Sequence, residues 1–199
     1  MFTKADIEKL FNNAYEYSKY YVFDALTEEM IVRTEKNIGY KLPKSYIELL
    51  RLQNGGVIRN IDSWLTIIMG IGSESNTHNG LEREFFFYKE EWDYPTEIGF
   101  PFGKTQSAGH DLYYFDYKNL GLDGEPAIIR IDIELGRIFK VADNFIQNNT
   151  KRHAKHIVAT REATSEVRYI DLAVRKAQYS YLLKVAKEHN RQTAVLYRD

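Results

Sequence analysis

Residues 111–141 read DLYYFDYKNLGLDGEPAIIRIDIELGRIFKV, and three extended runs are legible in this stretch. Asp111–Tyr117 is aromatic-rich, and a pleated strand there puts Tyr113 and Phe115 on one face and Leu112 and Tyr114 on the other. Ala127–Ile133 alternates cleanly, with Ala127, Ile129, Ile131 and Ile133 on one face and Ile128, Arg130 and Asp132 on the other. Glu134-Leu135-Gly136 turns the chain into Arg137–Val141, which is a hairpin signal. Consecutive strands joined by short turns imply an antiparallel sheet, because parallel neighbours need a long crossover.

Upstream, Ile98–Phe102 reads as a strand ending at Pro101, and Trp64–Ile68 as a short apolar strand. Residues 73–80 are polar and loop-like, and Leu81–Trp92, although ambiguous in its pattern, reads as a short helix. The N-terminal third is helical in character. Ile7, Leu10, Phe11, Ala14, Tyr17 and Tyr21 have the spacing of an amphipathic helix over residues 4–22. Thr27 is an N-cap followed by Glu28 and Glu29, Leu26 and Ile31 form a hydrophobic staple, and Gly39 is the stop. Pro43 opens a third helix carrying Tyr46, Ile47, Leu49 and Leu50, which Asn54-Gly55-Gly56 ends. Downstream, Asp143–Asn148 reads as a short helix and 147–152 as a linker. Val167, Ile170, Val174, Ala177, Tyr181 and Val185 make one stripe of a helix over residues 164–189. The expected fold is α+β, with N-terminal helices, a central antiparallel sheet of about five to six strands and a C-terminal helix.

Composition narrows the function. The chain of 199 residues suits one domain, with 44% hydrophobic and 28% charged residues. The absence of cysteine excludes a disulfide scaffold, a thiolate metal site and a cysteine nucleophile. The scattered charges of the first residues do not read as a secretory leader, and no run is long enough for a membrane span. The expectation is a soluble cytoplasmic protein. The net charge of −1 conceals an asymmetry. Residues 1–150 hold 16 Lys+Arg and 23 Asp+Glu, net −7, whereas residues 151–199 hold 11 and 5, net +6. Packing of the tail on the body is the plain reading. An acidic face for a basic partner and a basic tail for nucleic acid are the functional ones.

A set of short motifs falls in a familiar order. Leu26-Thr27-Glu28-Glu29, Glu35, Ile38-Gly39, Leu42-Pro43-Lys44-Ser45-Tyr46, Leu49-Leu50 and Asn54-Gly55-Gly56 come first. Ile98-Gly99-Phe100, Gly109-His110-Asp111, Asp116-Tyr117, Gly124-Glu125-Pro126 and Val141-Ala142-Asp143-Asn144-Phe145 follow. Over roughly residues 24–146 this resembles the Smi/Knr-type (SUKH) family. The resemblance implies a binding protein without catalysis or cofactor. In bacteria it implies an immunity protein that neutralises a cognate polymorphic or contact-dependent toxin, often a nuclease; a regulatory scaffold of the cell-wall-regulator type is the alternative. The resemblance covers neither the first helix nor the basic tail; the expected organisation is a domain over 1–148 and a basic helical extension over 149–199, packed on the domain or on a partner.

No catalytic centre assembles from the motifs. Gly70-Ile71-Gly72-Ser73 lacks the Lys-Ser/Thr ending of a phosphate loop. His153 and His156 sit among Lys151, Arg152 and Lys155, which oppose a bound cation, so no metal site is expected. His110 and Asp111 are adjacent and face opposite ways in a strand, and Ser107 has no nucleophile elbow. The carboxylates are the serious candidates. Glu82, Glu84, Glu90, Glu91, Asp93 and Glu97 interleave with Phe87, Tyr88, Trp92 and Tyr94, and Asp111, Asp116, Asp123 and Glu125 form a second group. The plain reading is a solvated helix face; acid–base chemistry on a sugar is the weaker alternative. Acid beside aromatic is also what a binder of a basic cleft presents. The expected partner-binding residues are Glu90, Glu91, Trp92, Asp93, Tyr94, Asp111, Tyr113 and Asp116. The expected partner is a toxin domain, with no membrane and no nucleic acid, and the C-terminal helix leaves a homodimer open.

Overall fold

The computed structural model describes residues 2–59, 64–121 and 123–145, together with the backbone of residues 167–169. Helices α1 (Lys4–Leu10), α2 (Glu28–Ile38) and α3 (Lys44–Leu52) precede strands β1 (Gly56–Val57) and β2 (Ile67–Ile68). Helix α4 (Leu81–Trp92) is followed by β3 (Gly99–Lys104), β4 (Asp111–Leu120), β5 (Pro126–Asp132), β6 (Arg137–Ala142) and β7 (Val167–Tyr169). The sheet order is β1-β2-β3-β4-β5-β6-β7, and every neighbouring pair is antiparallel. The protein is α+β, as the strand-and-turn pattern implies. Six strands lie within residues 56–142 and a seventh comes from the tail.

The expected helix over residues 4–22 breaks after Leu10. Phe11 is extended and bridges Ile58, and the Asn12 N–H donates to the Val57 carbonyl at 2.8 Å. Phe11 is thereby buried while its backbone covers the open edge of β1, a bonding opportunity that apolar spacing does not reveal. A 3₁₀ helix over Glu16–Tyr20 follows, leaving Tyr15, Tyr17 and Tyr20 exposed. Strand β3 continues through Pro101 to Lys104, because the register shifts between Pro101 and Gly103 and a bulge tolerates the missing N–H. Residues 143–145 form a bend that buries Phe145 instead of opening a helix. The helix expected over 164–189 lies outside the described residues except at Val167–Tyr169, which is extended and pairs with β6. The linker at 147–152, His153 and His156 also lie outside them.

The recognisable motifs are structural. The Thr27 hydroxyl accepts from the Met30 N–H at 3.2 Å, and Gly39 closes α2 with φ of 80°. Pro43 sits one position earlier than expected, at the N-cap of α3, and makes no side-chain cap. The Glu125 carboxylate takes that role from the β4–β5 turn, accepting from the Lys44 N–H at 2.9 Å and the Ser45 hydroxyl at 2.5 Å. Asn54 is buried, donates to the carbonyls of Asp24 and Ile71 at 2.8 Å each, and accepts from the Ile71 N–H.

Both faces of β4 are covered, so Leu112, Tyr113, Tyr114 and Phe115 are all buried. On one face the Tyr46 ring of α3 stands edge-on to Phe115, with ring centres 5.2 Å apart, beside Phe102 and Phe145. On the other, Tyr94, two residues beyond α4, stacks on Tyr114 at 5.7 Å. Glu84 of α4 also pairs there with Lys104 at 2.7 Å, a buried ion pair beneath the helix.

Candidate functional site

Helix α4 sorts the carboxylates of the 82–97 segment. Glu82 and Glu84 point inward: Glu82 pairs with Arg33 at 2.8 Å and Glu84 with Lys104. Glu90 and Glu91 are exposed on the last turn, and Phe87, 44% exposed, lies one turn before Glu91. Asp93 ends the helix in a left-handed conformation with φ of 52° and ψ of 34°, which Asp tolerates better than most side chains. That reversal keeps Asp93 in solvent while Tyr94 turns into the core.

The helix end is tied to the start of β4. The rings of Trp92 and His110 meet edge-on at 5.0 Å, and the Tyr94 hydroxyl donates to the Gly109 carbonyl at 2.8 Å. His110 Nδ1 lies 3.4 Å from Glu134, which is exposed in the β5–β6 turn. Through His110 the half-buried Trp92 at the end of α4 adjoins Glu134 of the β5–β6 turn, and exposed Glu90, Glu91 and Asp93 lie on the same helix end, the rim of the molecule considered below.

The predicted residues divide on this geometry. Glu90, Glu91, Trp92 and Asp93 come together at the rim. Tyr94 and Tyr113 are in the core, where burial pushes the Tyr113 hydroxyl up to about 12 and Tyr94 well above the ordinary tyrosine range. They support the rim from behind and offer no surface. Asp111 is buried beneath it, its Oδ1 3.2 Å from Arg130, and its N–H donates to the Ser107 hydroxyl at 2.7 Å. Burial raises its carboxyl above the usual range, and Arg130 works against that rise. Asp116 is buried in the middle of β4, about 16 Å along the strand from Asp111. It accepts there from the Lys118 N–H and the Asn119 side chain, where the β4–β5 register shifts between Asp116 and Leu120. Two rim residues, Phe87 and Glu134, were not among the expected partner-binding residues, although Phe87 belongs to the interleaved aromatics of the segment. Phe87 was signalled by its i,i+4 relation to Glu91. Glu134 became a neighbour only through the hairpin register.

Among the described residues no cluster of three or more His, Asp or Glu is placed to hold a metal ion, and no helix is long and apolar enough to cross a membrane. The rim offers charge, ring edges and hydrogen-bond acceptors, the equipment of a contact surface.

The fold and the rim define an α+β protein with one antiparallel meander sheet and an acidic, aromatic-edged surface. The profile of the SMI1 / KNR4 family (SUKH-1) matches residues 25–147, more than half of the chain, and the protein belongs to that family. No curated protein matches the chain. Family membership supports, in general terms, an immunity-protein-like role exercised on a protein partner.

Proposed function

We propose that this protein is a non-enzymatic immunity protein that binds a basic toxin domain, of nuclease type, in the cytoplasm of the producing cell. The toxin's active site is then occluded sterically and electrostatically. The observation that carries the reading is the rim itself. Exposed Glu90, Glu91 and Asp93 flank Trp92 on a helix end braced by buried tyrosines, and Glu134 joins that end through His110. Exposed carboxylates steer a cationic partner into contact, and a fixed aromatic edge holds it once water is expelled. The body's charge of −7 over residues 1–150 has the matching sign.

The test is a triple substitution, Glu90→Lys, Glu91→Lys and Asp93→Asn. Asn preserves the left-handed turn that ends α4. Binding to the toxin domain encoded beside the gene is expected to weaken at least about tenfold near 0.15 M salt, mainly through slower association, and the loss should shrink as salt rises. Protection of cells on co-expression should fall in parallel. Unchanged binding and protection would remove this rim from the interface. A native gene neighbourhood without a toxin would instead favour the regulatory-scaffold alternative.

A further inference from the structure

The charge asymmetry of the chain has a place in the fold. Four residues stand in one row across the sheet: Asp111 is paired with Asp132, Asp132 with Arg137, and Arg137 with Tyr169. With neighbouring strands about 4.8 Å apart, Tyr169 lies roughly 14 Å from Asp111 along that row. Strand β7 runs antiparallel to β6, so the chain leaves Tyr169 at the end of the sheet that carries the β5–β6 turn and Glu134. His110, which meets Trp92 of α4 and accepts from the Ile133 N–H, is at that same end. The sheet therefore delivers residue 170 beside the acidic rim.

The charges on the two sides are opposite. Exposed Glu90, Glu91, Asp93 and Glu134 stand there against one exposed lysine, Lys89, a balance of −3 with His110 neutral. Asp132 and Arg137 offset each other in register, as Asp111 and Arg130 do at 3.2 Å. Residues 170–199 lie outside the described residues, and they hold six Lys and Arg against three Asp and Glu, net +3. Their first basic pair, Arg175-Lys176, begins six residues beyond Tyr169. Six residues of chain reach as far as about 20 Å, more than the row back to β4. A segment tethered so closely acts at an effective concentration of about a millimolar, so modest attraction is enough to hold it.

We propose that residues 170–199 fold back in cis onto the acidic end of α4 and hold the rim until a basic partner displaces them. The tail is then an internal competitor. A rim occupied in two thirds of the molecules lowers the apparent affinity for that partner about threefold and rejects weakly basic proteins. The inference rests on the reading of the rim as a surface for a basic protein, and the experiment separates the two.

The chain contains no cysteine and two tryptophans, so one nitroxide and two fluorine probes can be placed cleanly. The full chain carries 5-fluorotryptophan, its resonances assigned from Trp64→Phe, and a nitroxide on Gln178→Cys or, in a second sample, on Ala186→Cys. Labelled molecules are diluted into unlabelled, unfluorinated chain, so that only contacts within one molecule are read. The Trp92 resonance is expected to lose most of its intensity at one label position or both, and to regain it when the nitroxide is reduced. Glu90→Lys, Glu91→Lys and Asp93→Asn together, or an excess of deca-arginine, should also restore it. Broadening that is absent at both positions, survives the triple substitution or survives deca-arginine overturns the inference. Broadening that appears only when label and fluorine sit on different molecules also overturns it, in favour of a second copy. The toxin reading stands or falls separately, on whether the triple substitution weakens toxin binding.

Discussion

Glu82 illustrates how a single carboxylate can hold two helices. It is 3% exposed; its Oε1 accepts from Arg33 Nε at 2.9 Å and Thr34 Oγ1 at 2.7 Å, and its Oε2 from Asn37 Nδ2 at 2.7 Å. All three donors lie on α2, so the carboxylate fastens α4 to that helix. Glu82→Ala would leave the buried Thr34 hydroxyl without its acceptor and take the carboxylate from Arg33, which keeps the Ser73 and Gly72 carbonyls, and is expected to cost about 2 kcal/mol. Urea unfolding measures it, and a loss below about 1 kcal/mol would contradict the account. Nothing local announces this role. In the sequence Glu82 looks like Glu90, and the difference is the helical phase that turns one inward and the other to solvent. Glu125 is similar: its capping of α3 spans about eighty residues of chain, a relation that only the folded topology creates.

At the scale of elements, a helix end and the sheet each depend on a glycine, for different reasons. Gly99, at the start of β3, faces β4 so closely that an added Cβ would come within 1.9 Å of the Phe115 carbonyl oxygen. Gly39 has open space around it, and its φ of 80° is the only obstacle to a side chain. Gly39→Ala should therefore cost about 1–2 kcal/mol, the ordinary penalty of a left-handed residue. Gly99→Ala should cost more, because backbone must move, and it should disturb the β3–β4 amides in hydrogen exchange. Equal costs for the two would refute the distinction. Strands β4, β5 and β6 were legible because strict alternation and a short turn are local signals. Helix α1 was overextended in the reading because Phe11 serves a long-range bridge. The burial of Tyr113 was hidden because alternation marks two faces without saying that both are covered.

Across the whole molecule, the buried tyrosines set the response to alkali. Burial raises Tyr46, Tyr88, Tyr94, Tyr114 and Tyr117 well above the ordinary value of 10.0, and Tyr113 to about 12. The folded chain thus holds these protons more tightly than the unfolded chain does. The stability they confer is complete below pH 10 and is lost as the pH climbs through the folded values. The urea midpoint should fall steeply above pH 10, and tyrosinate absorbance at these positions should appear only together with loss of near-UV circular dichroism. Tyrosinate that forms in full while the fold persists would contradict the two-sided burial of β4.

The strand order also bears on how the protein is made. Each strand lies beside the one synthesised just before it, so the sheet widens from a single edge as the chain emerges, at about 5–20 residues per second. No completed pair has to reopen to admit a later arrival. Every residue of the acidic rim, from Phe87 to Glu134, precedes residue 145. A nascent chain still attached to its ribosome already carries the whole proposed contact rim, so, if the protein acts as a shield, the cell would gain its cover before translation of the molecule is finished.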